Sequence, residues 1–271
     1  MNRKGTHRLL LSALTLAAAL VTTTAANADN LLRKLAPKPR QLKGQRAADM
    51  VVLSDLHLAE GRSDNGKWSN REQFRVHKQF DDMVGYLLKR QQRAGNRKLQ
   101  VVLNGDIFDF LLVLKAPKGQ KVAKTGPERH HSATEAVALQ KLERIGQQHA
   151  PFFASLRKVV NAGHEVVFTV GNHDQELHYP KVQRALRKLV GGNSGKAGQR
   201  VKVKSWFHHS GDVLVEHGHR YDALNNVNYP MHPFRDDKGT RRLRPAAGTY
   251  LVTEWANALR ESMPAGLEIQ S

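Results

Sequence analysis

The chain has 271 residues, no cysteine, and a formal net charge of +19 from 43 lysines and arginines against 24 acidic residues. That length allows one large domain or two small ones with a sizeable core. The lack of cysteine excludes disulfides, thiolate metal sites and a lipid-modified cysteine, so any metal must be held by His, Asp, Glu or Asn. The positive excess favours anionic partners (phosphorylated substrates, nucleic acid or an anionic membrane surface) without choosing among them.

Arg3, Lys4 and Arg8 precede an apolar run over 9–21, and Ala26-Asn27-Ala28 has the small-x-small form of a signal peptidase site. Residues 1–28 are therefore expected to be a secretory signal, which makes the protein exported, extracellular or periplasmic. An uncleaved anchor is the weaker alternative, because the run falls short of the ~20 residues that span a bilayer. Residues 29–48 carry Lys34, Lys38, Arg40, Lys43 and Arg46 around Pro37 and Pro39 and read as a basic linker.

Residues 49–271 then read as one domain. Residues 50–54 predict a strand. The spacing of Phe74, Val76, Phe80, Met83, Val84, Leu87 and Leu88 predicts an amphipathic helix over 71–93, with Gly95 where it would stop. A second strand over 99–103 completes a βαβ unit, whose strands should be parallel. After a loop rich in Lys, Gly and Pro, Ser132 and Glu135 form a capping-box pattern. The helical stretch they open runs to about 161, with a break at Pro151. A third strand covers 165–170, a basic helix 181–190 and a glycine-rich loop 191–198. Residues 201–207 and 213–216 predict a hairpin turned at Ser210-Gly211-Asp212, and 249–263 form a last amphipathic stretch.

Four apolar strands each end in groups of metal-ligand type: Asp55 and His57, Asp106, Asn172, and His217. In an open α/β sheet functional groups collect at the carboxyl ends of the strands, so these loops can converge on one crevice. Hydrolysis of a phosphate ester needs activated water, charge neutralisation on the phosphoryl oxygens and a stabilised leaving group, and a two-metal site supplies all three. Hard oxygen ligands mixed with imidazole suit Mn, Fe, Zn or Co rather than Ca or Mg.

The ordered set Asp55-x-His57, Gly105-Asp106-x-x-Asp109, Gly171-Asn172-His173-Asp174 and His217-Gly218-His219 resembles the calcineurin-like metallophosphoesterases and spans about 50–222. The resemblance implies a four-layer α/β/β/α fold, two divalent or trivalent transition-metal ions (Mn, Fe or Zn), and hydrolysis of a phosphomonoester or phosphodiester. By the same match Asp55 and His57 would bind the first metal, Asp106 would bridge, and Asn172 and His217 would bind the second. His173 would hydrogen-bond the phosphate and act as general acid, Asp174 would orient His173, and Asp109 would brace the loop. The family's later Gly-His-x-His motif is not found after His217: Gly218-His219 is followed by Arg220, and His232 stands alone. The expectation is a carboxyl-terminal truncation of a longer relative, short of strands in its second sheet, poor in metal and weakly active. A degenerate member that has lost part of the site is the alternative.

A reading from another class is a non-catalytic domain binding anionic polymers or membrane surfaces through its charge. His77, His130, His131, His208 and His209 read as packed or surface residues, and His219 as a phosphate-contacting or supporting group. Arg184, Arg187 and Lys188, and the run Lys196, Arg200, Lys202 and Lys204, read as solvated faces, with no nucleic-acid motif beside them. Motifs of this kind set neither the substrate nor the oligomeric state.

Overall fold

Alternating and continuous runs of Val and Leu drive the chain into strand wherever both faces will be covered. In the computed structural model β1 (Asp49–Leu53), β2 (Leu99–Asn104), β3 (Glu165–Thr169) and β4 (Val201–Lys204) form one parallel sheet in the order β1-β2-β3-β4. Val51 lies beside Val101, Val101 beside Val166, and Val166 beside Val201. The structure describes residues 48–63, 65–114, 134–192, 195–257 and 259. The expected signal, nearly all of the basic linker, most of the Lys- and Gly-rich loop with Ser132, and the end of the last amphipathic stretch lie outside the described residues.

A strictly sequential strand order with right-handed crossovers places every connecting helix on one face. Those helices are α1 (His77–Arg93), α2 (Glu135–Gln148), α3 (Ala150–Asn161) and α4 (Pro180–Gly191), with the short α5 (Gly195–Gln199) leading into the edge strand. Phe80, Val84 and Leu87 of α1, Leu142 and Ile145 of α2, Leu156 and Val160 of α3 and Leu186 of α4 close over Val101, Leu103, Val166 and Phe168 in one buried cluster. The opposite face is covered by a hairpin, where Val215 packs on Val102, Val167 and Met50. The α/β fold, the parallel βαβ unit and the break between α2 and α3 agree with the sequence. Pro151 sits in the first turn of α3, where its missing N–H costs nothing.

Three local expectations are corrected. The first helix begins at His77 rather than 71, because Glu72 is committed elsewhere: its carboxylate accepts the backbone N–H groups of Ala59, Gly61 and Phe74. Residues 201–207 are not one hairpin arm. Val201 and Val203 side with the helical core, so β4 joins the sheet edge. The hairpin is then made by β5 (Phe207–Ser210) and β6 (Val213–Glu216), with Gly211 at φ +60° in its turn. Residues 191–198 contain α5 rather than only loop, and Thr134 Oγ1 caps α2 by accepting from Val137 N. A second hairpin, β7 (Phe234–Asp237) and β8 (Thr240–Leu243), precedes α6 (Ala247–Tyr250) and a π-helical segment at Leu251–Ala256. Of the second sheet the resemblance implies, the described residues supply β5 and β6. No described helix is long and apolar enough to cross a membrane.

Candidate metal centre

β1, β2 and β3 end side by side because they are parallel and in register, and the three loops that follow them are laced together. Asp55 N donates to Gly105 O, His57 N to Asp106 O, and His173 N to the Asp106 carboxylate at 2.9 Å. Holding those side chains on one spot bends the backbone out of its ordinary range. Asp55, His57 and Asp106 have φ of 55°, 49° and 52°, a left-handed conformation that costs a non-glycine residue ~1–3 kcal/mol. Two glycines make the close approach possible. A Cβ on Gly171 would run into the Asp106 carboxylate, and one on Gly105 would lie 2.5 Å from the His217 ring.

The side chains converge on Asp106. His217 Nδ1 donates to the Asn104 carbonyl at 3.0 Å, which leaves Nε2 pointing at Asn172 Oδ1 at 3.2 Å and Asp106 Oδ2 at 3.4 Å. His57 Nδ1 donates to Asp109 Oδ2 at 3.1 Å, and its Nε2 lies 3.9 Å from Asp55 and 4.0 Å from Asp106. Asp106 is nearly sealed from solvent, whereas the Asp55 side chain is 56 % exposed at the mouth. Two groups, His57–Asp106–His173 and Asp55–Asp106–His217, each bring one ligand atom per residue within 4.8 Å of the others, and Asp106 belongs to both. Carboxylate and amide oxygens gathered around imidazole Nε2 atoms are a donor set for a hard-to-borderline cation once the rings give up their protons, and the anchored Nδ1 atoms fix the ring orientations. This set fits a metal.

His173 stands edge-on to His57, their ring centroids 4.9 Å apart, and its Nδ1 donates to Asp109 Oδ2 at 2.9 Å. One carboxylate oxygen thus takes both imidazoles, while Asp109 Oδ1 accepts from Leu112 N. The expectation that Asp174 orients His173 is corrected here. Asp174 sends Oδ1 to Gly171 N at 2.6 Å and Oδ2 to Ile107 N at 3.0 Å, so it ties two loops together, and Asp109 holds the ring. Asp109 braces its loop as expected, and it also carries the contact assigned to Asp174.

Burial works against charge on each of these groups, and the outcome depends on the neighbours. For His173, Asp109 and then Asp106 overcome burial and raise it to about 10; for His217, the bond to Asp106 raises it to about 9. The imidazoles hold Asp106 and Asp109 below the usual carboxylate range despite their burial. Asp174, buried and beside Asp106, is pushed up to about 7. His219 lies with its ring 5.3 Å from His217, and burial pushes it down to about 4. The centre is an acidic pocket that draws positive charge onto its histidines.

A family model described as calcineurin-like phosphoesterase matches residues 49–258. No curated protein and no solved structure matches the chain. The chain belongs to the calcineurin-like phosphoesterases, whose activity is metal-dependent hydrolysis of phosphoric esters.

Proposed function

We propose that this protein hydrolyses a phosphomonoester or phosphodiester at a two-metal centre held by Asp55, His57, Asp106, Asn172 and His217. The observation that carries the reading is the convergence of potential ligand atoms on Asp106, the one carboxylate shared by both groups. Divalent ions bound there would make water nucleophilic at neutral pH and neutralise charge on the phosphoryl oxygens. Asp106, whose one oxygen accepts from His173 N, would be the shared ligand, and Asn104 O and Asp109 set the rings of His217 and His57. His173 would hydrogen-bond the phosphate and hand a proton to the departing oxygen, a reading supported by its bond to Asp109. Asp174 keeps the Gly171 and Ile107 loops at the distance this geometry needs.

Hydrolysis of p-nitrophenyl phosphate and bis-p-nitrophenyl phosphate, with and without added Mn²⁺, tests the reading. Turnover should require the metal and fall ~10²–10⁴-fold in His173→Ala; turnover indifferent to both would overturn it. A second reading, binding of anionic polymers without turnover, is favoured by a cavity of about 570 Å³ lined by Arg187, Lys188, Lys202 and Lys204. Salt-sensitive polyphosphate binding by a protein with no metal-dependent turnover would support it. Export is part of the first proposal and rests on residues 1–28; the mass of the protein recovered from outside the cytoplasm would reveal their removal.

A further inference from the structure

Lys141 of α2 is 1 % exposed, an unusual place for an ammonium group. Its Nζ donates to the carbonyl of Phe110 at 2.7 Å, in the turn that immediately follows Asp109. The same residue's N–H donates to His173 O at 3.2 Å, so Phe110 is gripped on both sides. One side is the loop of His173 and the other is Lys141. Around this grip lie three buried carboxylates, Glu60, Asp109 and Glu176, each 1 % exposed. Glu60 has its own cation in Arg71 at 3.3 Å. Burial pushes the Lys141 ammonium down to about 8, and Glu176, Asp109 and Glu60 are the groups that oppose this.

We infer that Lys141 is a positioning residue for the metal centre: by anchoring the Phe110 carbonyl and countering the buried acids, it holds Asp109 between the rings of His57 and His173. The inference rests on the metal-centre reading above, because the rings it steadies matter for binding only if His57 is a ligand. Burying a long charged side chain costs rotamer freedom and desolvation. What that placement secures is the one turn whose Asp accepts from two rings of the centre.

Two measurements on the full chain test it: Mn²⁺ affinity by calorimetric titration, and the Nδ1–H resonances of His57 and His173 in ¹⁵N-labelled metal-free protein. Lys141→Met should weaken Mn²⁺ binding ~10–100-fold and broaden or remove at least one of the two Nδ1–H signals. A residue that only supports the fold would lower the melting temperature and leave both Nδ1–H signals in place. Should Lys141→Met fail to fold, Lys141→Gln keeps a donor and drops the charge, and about a tenfold loss in Mn²⁺ affinity is expected. Either variant, folded and with wild-type Mn²⁺ affinity and both signals intact, would overturn the inference. If wild-type protein bound no Mn²⁺ at all, the metal-centre reading would fail, while the resonances would still report on Lys141.

Discussion

Glu72 and Asp106 are both buried carboxylates beside imidazoles, and they are used in opposite ways. Glu72 accepts from Ala59 N, Gly61 N and Phe74 N, and from His149 Nε2 at 3.0 Å. The other nitrogen of His149 meets His77 Nε2 at 3.0 Å, and His77 stacks against Trp68. Every acceptor there meets a donor. At Asp106 one oxygen takes His173 N, while the other faces the Nε2 atoms of His217 and His57, with the side chains of Asp55 and Asn172 turned toward those same rings. Backbone strain also separates the two regions: Asp55, His57 and Asp106 are left-handed, and Glu72, His77 and His149 are not. A saturated carboxylate–imidazole network fastens a loop to a helix pair. One gathered on strained backbone, with ring Nε2 atoms turned to carboxylate and amide oxygens, is built to exchange their protons for a cation.

The comparison breaks most visibly at the carboxylate that serves the centre without belonging to it. Asp109→Asn leaves His57 and His173 to share a weaker acceptor, and phosphatase activity should fall ~10²-fold or more in steady-state assays. Gly171→Ala pushes a methyl group into Asp106, and Mn²⁺ affinity measured by titration should drop ~10–100-fold with little change in the helical core. Glu72→Gln should do the reverse. Chemical denaturation should show a loss of ~1–3 kcal/mol from orphaned N–H groups, with Mn²⁺ affinity unchanged. If Glu72→Gln weakened metal binding as much as Gly171→Ala, the two regions would not be separable.

The smallest effect expected is on the pH dependence of the metal-free fold. His173 and His217 are raised to about 10 and 9 in the folded protein, above the ordinary 6.5. Groups raised in this way contribute stability that is fully present below about 6.5 and is lost as pH climbs through 9 and 10. Solvent screening reduces the contribution from partly exposed His217. The metal-free melting temperature should therefore decline by a few degrees between pH 6.5 and 10, and metal binding should strengthen and release protons over the same interval. A melting temperature that rose across that window would contradict the raised values.

The convergence of the five residues proposed as metal ligands was legible in the sequence because each sits within four residues of a strand terminus, where a local motif reports a spatial position. The exchange between Asp109 and Asp174 was not. Each lies five residues beyond the end of its strand, and only the packing of the two loops decides which reaches the His173 ring. Lys141 left a trace that went unread: it falls with Ala138, Leu142 and Ile145 on the buried stripe of α2, where an apolar residue was due. The first helix started late because Glu72 was drawn into long-range backbone contacts. The hairpin was misplaced because Val201 and Val203 pack on helices far along the chain. Periodicity identifies an apolar face and leaves open which partner covers it.

Calorimetric titration of Mn²⁺ into metal-free full-length protein at pH 7.5, beside Asp106→Asn, tests the metal centre most directly. The wild-type protein should take up Mn²⁺ saturably with proton release and a raised melting temperature, and Asp106→Asn should lose that uptake. Saturable uptake of equal strength in both proteins, or none in either, would contradict a metal site built on Asp106.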